Sequence, residues 1–298
     1  MRVLVVGDLA AVLTASVERL PRAGENFLLP GAALYASGVA ANLAWNLRGL
    51  GFEVDIAGAV GGDALGEHVL GELERRGIGV GQVDRSSEVT GTFLILVDGA
   101  GERTMIGFRG AAERFPLDAA GLRETSPDWI HISGYTLLDP EMTERCEVLG
   151  DVAEDRGIPC SVDLEGIAHV GRVTTLDRLT AFCNLDEYRQ YFGSDEVEPV
   201  ERSAPLVVKA REEGCFLVEG GTVVACPVAG VRAVDSTGAG DAFNAGFIAG
   251  RLMGHDDLVA CAWGNAAARM KVERPGPRVE LSVDSIERLV ERPGAGPA

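Results

Sequence analysis

Residues 235–247 read DSTGAGDAFNAGF, and this stretch decides the fold. Three small residues at 238–240 stand between Asp235 and Asp241, and an apolar run with helical spacing follows them. Glycines let a backbone approach a ligand closely, and the free N–H groups at the start of the following helix attract anions without a lysine. The stretch therefore predicts an anion site at a helix start, with a carboxylate in the first turn.

The carboxylate of Asp241 has two interpretations. It repels a bound phosphate, but it suits a base that removes the proton from a hydroxyl attacking a phosphoryl group. Such a base and an electropositive hole for the transferred oxygens are the minimal requirements for phosphoryl transfer. Alternatively, Asp241 only complements the helix dipole and the glycines only form a turn. The stretch by itself fits both interpretations.

The rest of the chain has the pattern of an α/β protein. Its 298 residues are 46% hydrophobic and can bury one large core. Short β-branched runs alternate with helical stretches, which predicts a doubly wound, mostly parallel sheet with helices on both faces. The predicted strands are RVLVVG (2–7), VDIAGAV (54–60), DWIHIS (128–133), IPCSVD (158–163), LTAFCN (179–184) and PLVVK (205–209).

Two stretches are predicted as helices from their spacing and their ends. SGVAANLAWNLRGLG (37–51) has a capping candidate in Ser37, and DALGEHVLGELERRG (63–77) has one in Asp63. A glycine follows the helical pattern in each and is expected to end the helix.

Two segments interrupt this alternation. GTFLILVDGAGERTMIGF (91–108) predicts a β-hairpin with a glycine-rich turn, and residues 10–33 have the pattern of extended chain. Together they predict a small β flap over the sheet. We expect one domain over 1–291 with these two segments as its lid, and a frayed, Pro/Gly-rich tail at 292–298.

Charge and motif content disfavour several function classes. The net charge of −18 and the pI of about 4.6 argue against nucleic acid and membranes as partners. The six cysteines form no C-x-x-C pair, so reduced thiols are expected and not a zinc site. The N-terminal run is too short for a signal-peptide core and no other run approaches membrane-spanning length, which predicts a cytoplasmic protein. Neither G-x-x-x-x-G-K-[ST] nor a strict G-x-G-x-x-G occurs, which disfavours a P-loop enzyme and a dehydrogenase.

The order of motifs along the chain resembles that of a known family. DSTGAGDAFNAGFI (235–248) is similar along its whole length to the second signature of the ribokinase-like, or pfkB, carbohydrate kinases. SGVAAN (37–42) resembles the family's Gly-Gly-x-x-x-Asn segment, and NLDE (184–187) resembles its Asn-x-x-Glu element. The resemblance spans nearly the entire chain. It implies the ribokinase-like fold and an ATP-dependent phosphoryl transfer.

The resemblance also implies roles for the residues of the signature. Asp241 is similar to the family's catalytic base, and Gly238, Ala239 and Gly240 are similar to its anion hole.

A second pair is similar to residues that serve the phosphates. Asn184 and Glu187 match positions that help to hold Mg²⁺-bound phosphates through water, an arrangement suited to a cation that dehydrates reluctantly. The same Asn-x-x-Glu spacing also fits a helix capping box.

Five residues are similar to nucleotide or cation positions. Lys209 and Arg211, in VVKAREEG, are assigned to the nucleotide, although relatives commonly have a glycine where Arg211 stands. Asn265 falls near the adenine pocket of relatives, or is only a surface or packing residue of its helix. Asp235 and Thr237 match the place where family members often hold potassium or sodium, and Thr237 is also assigned to the nucleotide. Alternatively, Asp235 only forms a turn.

On the acceptor side, Gly38 and Asn42 match the glycine and asparagine that contact substrate hydroxyls in the family. Asn42 lies on an apolar helix face, where a buried amide needs a polar partner, which agrees with a ligand-facing role.

The acceptor side also departs from the family. Relatives usually continue the first strand into Gly-x-x-Asn-x-Asp, whose aspartate binds sugar hydroxyls, whereas Ala10 and Val12 occupy these positions in GDLAAVL (7–13). Asp8 is an alternative source of that carboxylate. Ser37 replaces the first glycine of the Gly-Gly pair. The sequence thus predicts intact catalysis with an acceptor less polar than a simple sugar.

These observations predict an ATP-dependent kinase that transfers the γ-phosphoryl group to a hydroxyl of a small sugar or sugar-like acceptor. The implied cofactors are ATP and Mg²⁺, with K⁺ or Na⁺ as a further ion. A nucleoside kinase of the same family, including one for pseudouridine-type substrates, is the first alternative. A non-catalytic small-molecule-binding homologue is the second, and the intact Asp241 argues against it. The resemblance also implies a homodimer paired through the flap.

Overall fold

The β-branched runs of the sequence form strands that meet in two sheets. The computed structural model describes residues 1–99, 102–117, 119, 126–166, 177–228, 230 and 233–291. The strands in these residues are β1 (Arg2–Val6), β2 (Ala10–Ser16), β3 (Ala33–Ser37), β4 (Glu53–Gly61), β5 (Gly79–Ser86), β6 (Thr90–Val97), β7 (Arg103–Gly110), β8 (Trp129–Ser133), β9 (Cys160–Asp163), β10 (Thr180–Asn184), β11 (Leu206–Lys209), β12 (Cys215–Glu219) and β13 (Thr222–Cys226).

The larger sheet has the order β13-β12-β11-β10-β9-β8-β1-β4-β5. Its strands pair in parallel from β11 to β5, and β12 and β13 add an antiparallel edge. All six predicted strands lie in the parallel part. Successive side chains of β1 face opposite sides, since Val3 and Val5 belong to one core and Leu4 and Val6 to the other. The predicted doubly wound α/β fold is confirmed, and ligands of such sheets bind at the carboxyl ends of the strands.

Helices cover both faces of this sheet. The core that contains Val3 is covered by α1, α2, α5, α6 and α7, and the core that contains Leu4 by α3 and α4. No helix in the described ranges is both long enough and apolar enough to cross a bilayer. The helices in these ranges are α1 (Val39–Gly49), α2 (Ala64–Arg75), α3 (Pro140–Asp155), α4 (Leu185–Phe192), α5 (Ala239–Leu252), α6 (Asp257–Val272) and α7 (Val283–Glu291).

The two predicted helix starts have different outcomes. Asp63 caps α2 as predicted, because its side chain accepts a hydrogen bond from the N–H of Gly66. The predicted cap at Ser37 is wrong, since α1 begins at Val39 and Gly38 is its N-cap residue. Gly38 has a φ of 95°, which turns the chain sharply after β3, and the Ser37 side chain points elsewhere.

The smaller sheet contains both segments that interrupt the βα alternation. It has the order β3-β2-β6-β7, in which β6 and β7 form the predicted hairpin and β2 begins the segment predicted as extended. Three residues, 7–9, separate β1 from β2, so this sheet, called the flap below, lies at the carboxyl end of the parallel strands. Residues 100 and 101 of the hairpin turn and the predicted tail at 292–298 lie outside the described residues.

Candidate active site

The turn before α5 forms the centre of the site. Gly238 has a φ of 76°, and a Cβ there would lie 2.3 Å from the carbonyl oxygen of Pro277, so the turn requires glycine. Among the described residues no side chain caps α5. The N–H of Ala239 donates to the carbonyl oxygen of Ser236 at 3.2 Å, but no described residue accepts from the N–H of Gly240, which is available to an anion. The helix start that the predicted anion site requires is therefore present.

Asp241 lies in the first turn of α5 and is partly buried. Its Oδ2 accepts a hydrogen bond of 2.9 Å from Nδ2 of Asn42 on α1, and Oδ1 of Asn42 accepts one of 3.0 Å from the hydroxyl of Ser37. Burial raises the pKa of Asp241 to about 6; the bond from Asn42 opposes this rise and the charge of Asp163 adds to it. A carboxylate with this pKa is mostly ionised at neutral pH and still accepts a proton readily.

An ion pair lies beside the turn. Oδ2 of Asp163, at the end of β9, accepts hydrogen bonds from Nζ of Lys209 at 2.6 Å and from Nδ2 of Asn244 at 2.7 Å. Lys209 ends β11, and its Nζ lies 3.4 Å from the point where a Cβ of Gly240 would stand. Burial opposes the charge of Lys209, but Asp163 and Glu187 outweigh burial and raise its pKa. A positive charge therefore stands next to the glycine turn.

Two further carboxylates face this ion pair. Burial and the charges of Asp163 and Asp241 raise the pKa of Glu165 well above its ordinary value, and the hydroxyl of Ser133 donates to its Oε1 at 3.1 Å. Burial and Asp163 also raise the pKa of Glu187. Within the described part of the chain, no three His, Cys, Asp or Glu side chains are placed to hold a metal ion directly. The carboxylates make this side of the site negative, which suits a cation that keeps its own water.

Asn184 and Glu187 form a capping box at the start of α4. The N–H of Asn184 donates to Oε2 of Glu187 at 2.8 Å, and the N–H of Glu187 donates to Oδ1 of Asn184 at 2.9 Å. The capping alternative of the sequence is therefore present. Since β10 ends beside β9 and β11, the box also lies at the same sheet edge as Asp163 and Lys209.

The other residues assigned to the nucleotide have different surroundings. Arg211 has a φ of 53° and a side chain that is 79% exposed, and it pairs with Asp186 at 3.4 Å. This backbone conformation favours glycine, which explains why a glycine is expected there from the resemblance. Asn265 is buried on α6 and donates to the carbonyl oxygen of Cys226 at 2.8 Å, which matches its packing alternative. The buried hydroxyl of Thr237 has no hydrogen-bond partner among the described residues.

Asp235 holds the turn in front of α5. Its Oδ1 accepts a hydrogen bond from the N–H of Thr237, and its Oδ2 accepts one from the N–H of Gly276, each at 2.8 Å. Its backbone carbonyl accepts a hydrogen bond of 3.0 Å from Nζ of Lys271. These contacts match the turn alternative for Asp235.

Both carboxylate oxygens of Asp8 are engaged by Arg109 of β7. Nε of Arg109 lies 2.6 Å from Oδ2, and Nη2 lies 2.8 Å from Oδ1. Burial raises the pKa of Asp8, although Arg109 opposes the rise. This ion pair connects the flap to the end of β1. Arg109 occupies the Asp8 carboxylate, which was the alternative sugar ligand predicted from the sequence.

Gly38 and Val12 are the remaining residues assigned to the acceptor. A Cβ at Gly38 would lie 2.3 Å from the carbonyl oxygen of Asp8, so the start of α1 packs directly on the end of β1. Val12 is buried on β2 and forms an apolar cluster with Ala10 and Ile95. At Ala10 and Val12, where the resemblance implies polar sugar ligands, the flap therefore has apolar side chains packed in its interior.

The sequence contained signals for two residues that its analysis did not assign. Asp163 ends the predicted strand 158–163, so it lies at the carboxyl edge of a parallel sheet, where ligands bind. Asn244 follows Asp241 by three residues, which places both on one face of α5. Arg109 carried no such signal, because its partner Asp8 is distant in the sequence.

Comparisons with known proteins match the fold. The sequence profile of the pfkB family carbohydrate kinases matches residues 1–283. An uncharacterized sugar kinase of Archaeoglobus fulgidus is 31% identical over 252 residues, which cover 80% of this chain and 99% of that protein. An ATP-dependent ribose-1-phosphate kinase of Halopiger xanaduensis is 29% identical over 299 residues, covering 96% and 97% of the two chains. A ribokinase of Arabidopsis thaliana, solved with ribose and ATP, superposes with a TM-score of 0.82 at 22% identity and covers 97% of this chain and 98% of its own.

Fold and relatives agree on one class, the kinases that phosphorylate small hydroxylated molecules. The match over residues 1–283 shows that the chain belongs to the pfkB family of carbohydrate kinases. It is therefore an enzyme, a phosphotransferase with an alcohol group as acceptor, of the sugar and nucleoside kinase type.

Proposed function

We propose that the protein transfers the γ-phosphoryl group of ATP to a hydroxyl of a small sugar-like acceptor, with Asp241 as the catalytic base. One observation carries this proposal. Asp241, with a pKa of about 6, lies in the first turn of a helix whose N-terminus no described side chain caps. A base and an anion hole are thereby combined within one turn, which is what phosphoryl transfer to a hydroxyl requires.

The neighbours of Asp241 position it for this reaction. Asn42 donates to Oδ2 of Asp241, and Ser37 fixes the Asn42 amide by donating to its oxygen. The carboxylate thus meets the acceptor hydroxyl in one orientation and takes its proton as the oxygen attacks. The N–H of Gly240 would then stabilise the negative charge on the transferred oxygens.

The residues fit ATP with Mg²⁺. When bound, Mg²⁺·ATP supplies the phosphoryl group and a cation that neutralises its oxygens. Asp163, Glu165 and Glu187 present carboxylates that repel one another, so a hydrated cation on their side relieves this repulsion. Lys209 places its ammonium beside Gly240, where it would contact the phosphates of a bound nucleotide. The Arabidopsis ribokinase, which has the same fold, was solved with ATP.

The flap serves as the lid of the site. The Asp8–Arg109 pair anchors it, and the positive charge of Arg103, at the start of β7, lowers the pKa of Asp241. The hairpin therefore extends close enough to the base to influence it. A lid in this place excludes water, which would otherwise attack the phosphoryl group in place of the acceptor.

The acceptor has an apolar part beside its hydroxyls. Ala10, Val12 and Ile95 form a buried apolar cluster in the flap, and the partly exposed Phe93 and Val97 pack on it as an apolar patch. Arg109 occupies the carboxylate of Asp8. A simple polyhydroxylated sugar finds few partners there, whereas a nucleoside buries its base against the patch. This observation favours a nucleoside kinase as the second candidate function.

Two copies of the protein pair through the outer face of the flap. Ile106 and Phe108 of β7 are each at least half exposed, and the strand register places Ile106 on the same face of the flap as the partly exposed Leu34 of β3. Large apolar side chains in a group on one sheet mark an interaction surface. Sedimentation velocity at several protein concentrations tests the pairing, and a single monomeric species at micromolar concentration contradicts it.

One assay tests the proposed function as a whole. Purified protein is incubated with ATP, Mg²⁺ and a panel of sugars, sugar phosphates and nucleosides, and ADP release is measured against a control without acceptor. We expect acceptor-dependent ADP release from at least one class, with the phosphorylated product identified by mass spectrometry. Ligand binding in calorimetry without turnover for any acceptor would instead support the non-catalytic binder.

A further inference from the structure

Lys271 on α6 is fully buried, which is rare for a lysine. Its exposure is 0%, and its Nζ donates to the backbone carbonyl oxygens of Asp235 and Arg274, each at 3.0 Å. Lysines are almost never fully buried unless they are paired, because an ammonium loses much hydration there. Burial lowers the pKa of Lys271, and the carboxylate of Asp235 opposes this. The hydrogen bonds to these two carbonyl oxygens compensate the ammonium for its lost hydration, and they fix the two backbone segments that accept them.

The two carbonyl groups belong to the two segments that build the anion hole. Asp235 begins the turn that ends at Gly238, and Arg274 begins the loop that contains Gly276 and Pro277. The segments contact each other where the carboxylate of Asp235 accepts the N–H of Gly276, and where Gly238 packs on the carbonyl of Pro277. Lys271 therefore connects the turn at 235–238 to the loop that begins at Arg274.

The resemblance places a potassium or sodium ion around Asp235 and Thr237, and the oxygens of Asp235 do not fit one. Such an ion needs carbonyl and carboxylate oxygens as ligands. The carbonyl of Asp235 already accepts the ammonium of Lys271, and both of its carboxylate oxygens accept backbone N–H groups. The ammonium of Lys271 carries the same single positive charge as potassium or sodium, and it belongs to a side chain of α6.

We propose that the ammonium of Lys271 is a built-in cation that fixes the Asp235–Gly238 turn, so that this kinase works without potassium or sodium. Lys271 is a positioning residue, since it contacts the turn and not the substrate. Its effect on turnover rests on the proposed function, but its effect on folding does not.

The first experiment uses the wild-type protein. Initial rates are compared in potassium, sodium and choline chloride at equal ionic strength, with nucleotide and buffer as choline or Tris salts. We expect rates within about twofold of one another, because Lys271 holds the turn in each salt. If the turn needed a bound ion, its absence would displace catalytic groups, and a displacement of even 1 Å costs about 10²-fold in rate. Stimulation of tenfold or more by potassium or sodium would overturn the proposal.

The second experiment compares Lys271→Ala with Lys271→Met as a matched pair. Alanine removes the ammonium and opens space for an ion, whereas methionine removes the ammonium and fills the space. In choline both variants should lose about 10- to 100-fold in kcat. Potassium or ammonium ions should restore Lys271→Ala at least tenfold and leave Lys271→Met unchanged. A lysine that only fills space gives no such ion-specific difference, so equal responses of the two variants contradict the proposal.

A third measurement does not depend on activity. The Tm of each apo protein is recorded by circular dichroism in potassium and in choline chloride. We expect Lys271→Ala alone to gain about 2–4 °C in potassium, because an ion bound only to the folded state stabilises it. No potassium-specific gain in Lys271→Ala counts against the proposal. If no acceptor supports ADP release, the proposed function fails while this measurement still decides the role of Lys271. If the variants do not fold, the wild-type rates decide.

Discussion

Replacing Asp241 with asparagine removes the proposed base and changes little else. The amide of asparagine has the size of the carboxylate, and its oxygen can still accept the hydrogen bond from Asn42. Gly238 and the helix start remain as they are, so the anion hole should persist. We therefore expect Asp241→Asn to bind ATP like the wild type while kcat falls by about 10²–10⁴, or roughly 3–5.5 kcal/mol in the barrier.

The same substitution should not destabilise the fold at neutral pH. Burial raises the pKa of Asp241 from 3.8 to about 6, so the folded protein holds the proton more tightly than the unfolded chain. Ionised Asp241 is thus unfavourable in the folded state above pH 6, by up to about 3 kcal/mol for a shift of this size. This penalty fades as the pH falls from 6 to below 4. Asp241→Asn should therefore be more stable than the wild type at pH 7, with the gain disappearing near pH 4.

Two assays with one matched control test this reasoning. Coupled ADP release gives kcat, and urea unfolding at pH 7 and pH 4 gives the two stabilities. Asp284→Asn makes the same chemical change in the first turn of α7, at an exposed position away from the site, and should retain wild-type values. Turnover of Asp241→Asn within tenfold of the wild type would refute its role as base. A loss of stability at pH 7 would refute the account of its pKa.

Three other predictions concern pH, Mg²⁺ and the acceptor. The kcat/KM of the wild type should fall tenfold per pH unit below about pH 6, because the base works only when Asp241 is ionised, and a flat profile down to pH 5 would contradict this. Glu187→Gln keeps the capping box but loses a negative charge, so the Mg²⁺ concentration for half-maximal rate should rise several-fold; an unchanged titration would favour a capping role alone. Val12→Asp should raise kcat/KM for ribose relative to nucleosides by about tenfold or more, since a carboxylate hydrogen bond to a hydroxyl contributes about 1.5–3 kcal/mol. If wild type already prefers ribose and Val12→Asp brings no gain, the argument from the apolar patch is wrong.

The sequence predicted those parts of the structure that local patterns determine. Period-two runs gave the six parallel strands, and the glycine-rich interruption gave the hairpin, because pairing with the nearest neighbour in sequence needs little further information. The signature at 235–248 predicted the helix start and its carboxylate for the same reason. The cap at Ser37 was wrong because Gly38, with its positive φ, turns the chain one residue later.

Contacts between distant strand ends could not be predicted in this way. Asp8 meets Arg109 at a separation of 101 residues, and Asp163 meets Lys209 at a separation of 46. Each partner taken alone has an ordinary surface interpretation, since charged residues are mostly exposed. The order β9-β10-β11 in the larger sheet brings the end of β11 near the end of β9, and so brings Lys209 to Asp163. The position of β7 in the flap brings Arg109 to Asp8.

The charges at the site also explain how the base is tuned. Asp163 raises the pKa of Asp241, while Lys209 and Arg103 lower it, so the basicity of Asp241 depends on which charges surround it. A cation that joins the carboxylates on the nucleotide side offsets the effect of Asp163 and favours the ionised form of Asp241. Arg103 on the flap acts in the same direction on the pKa of Asp241. The proposed base is therefore expected to be most fully ionised when nucleotide, cation and flap are all in place, which is the state in which the acceptor must lose its proton.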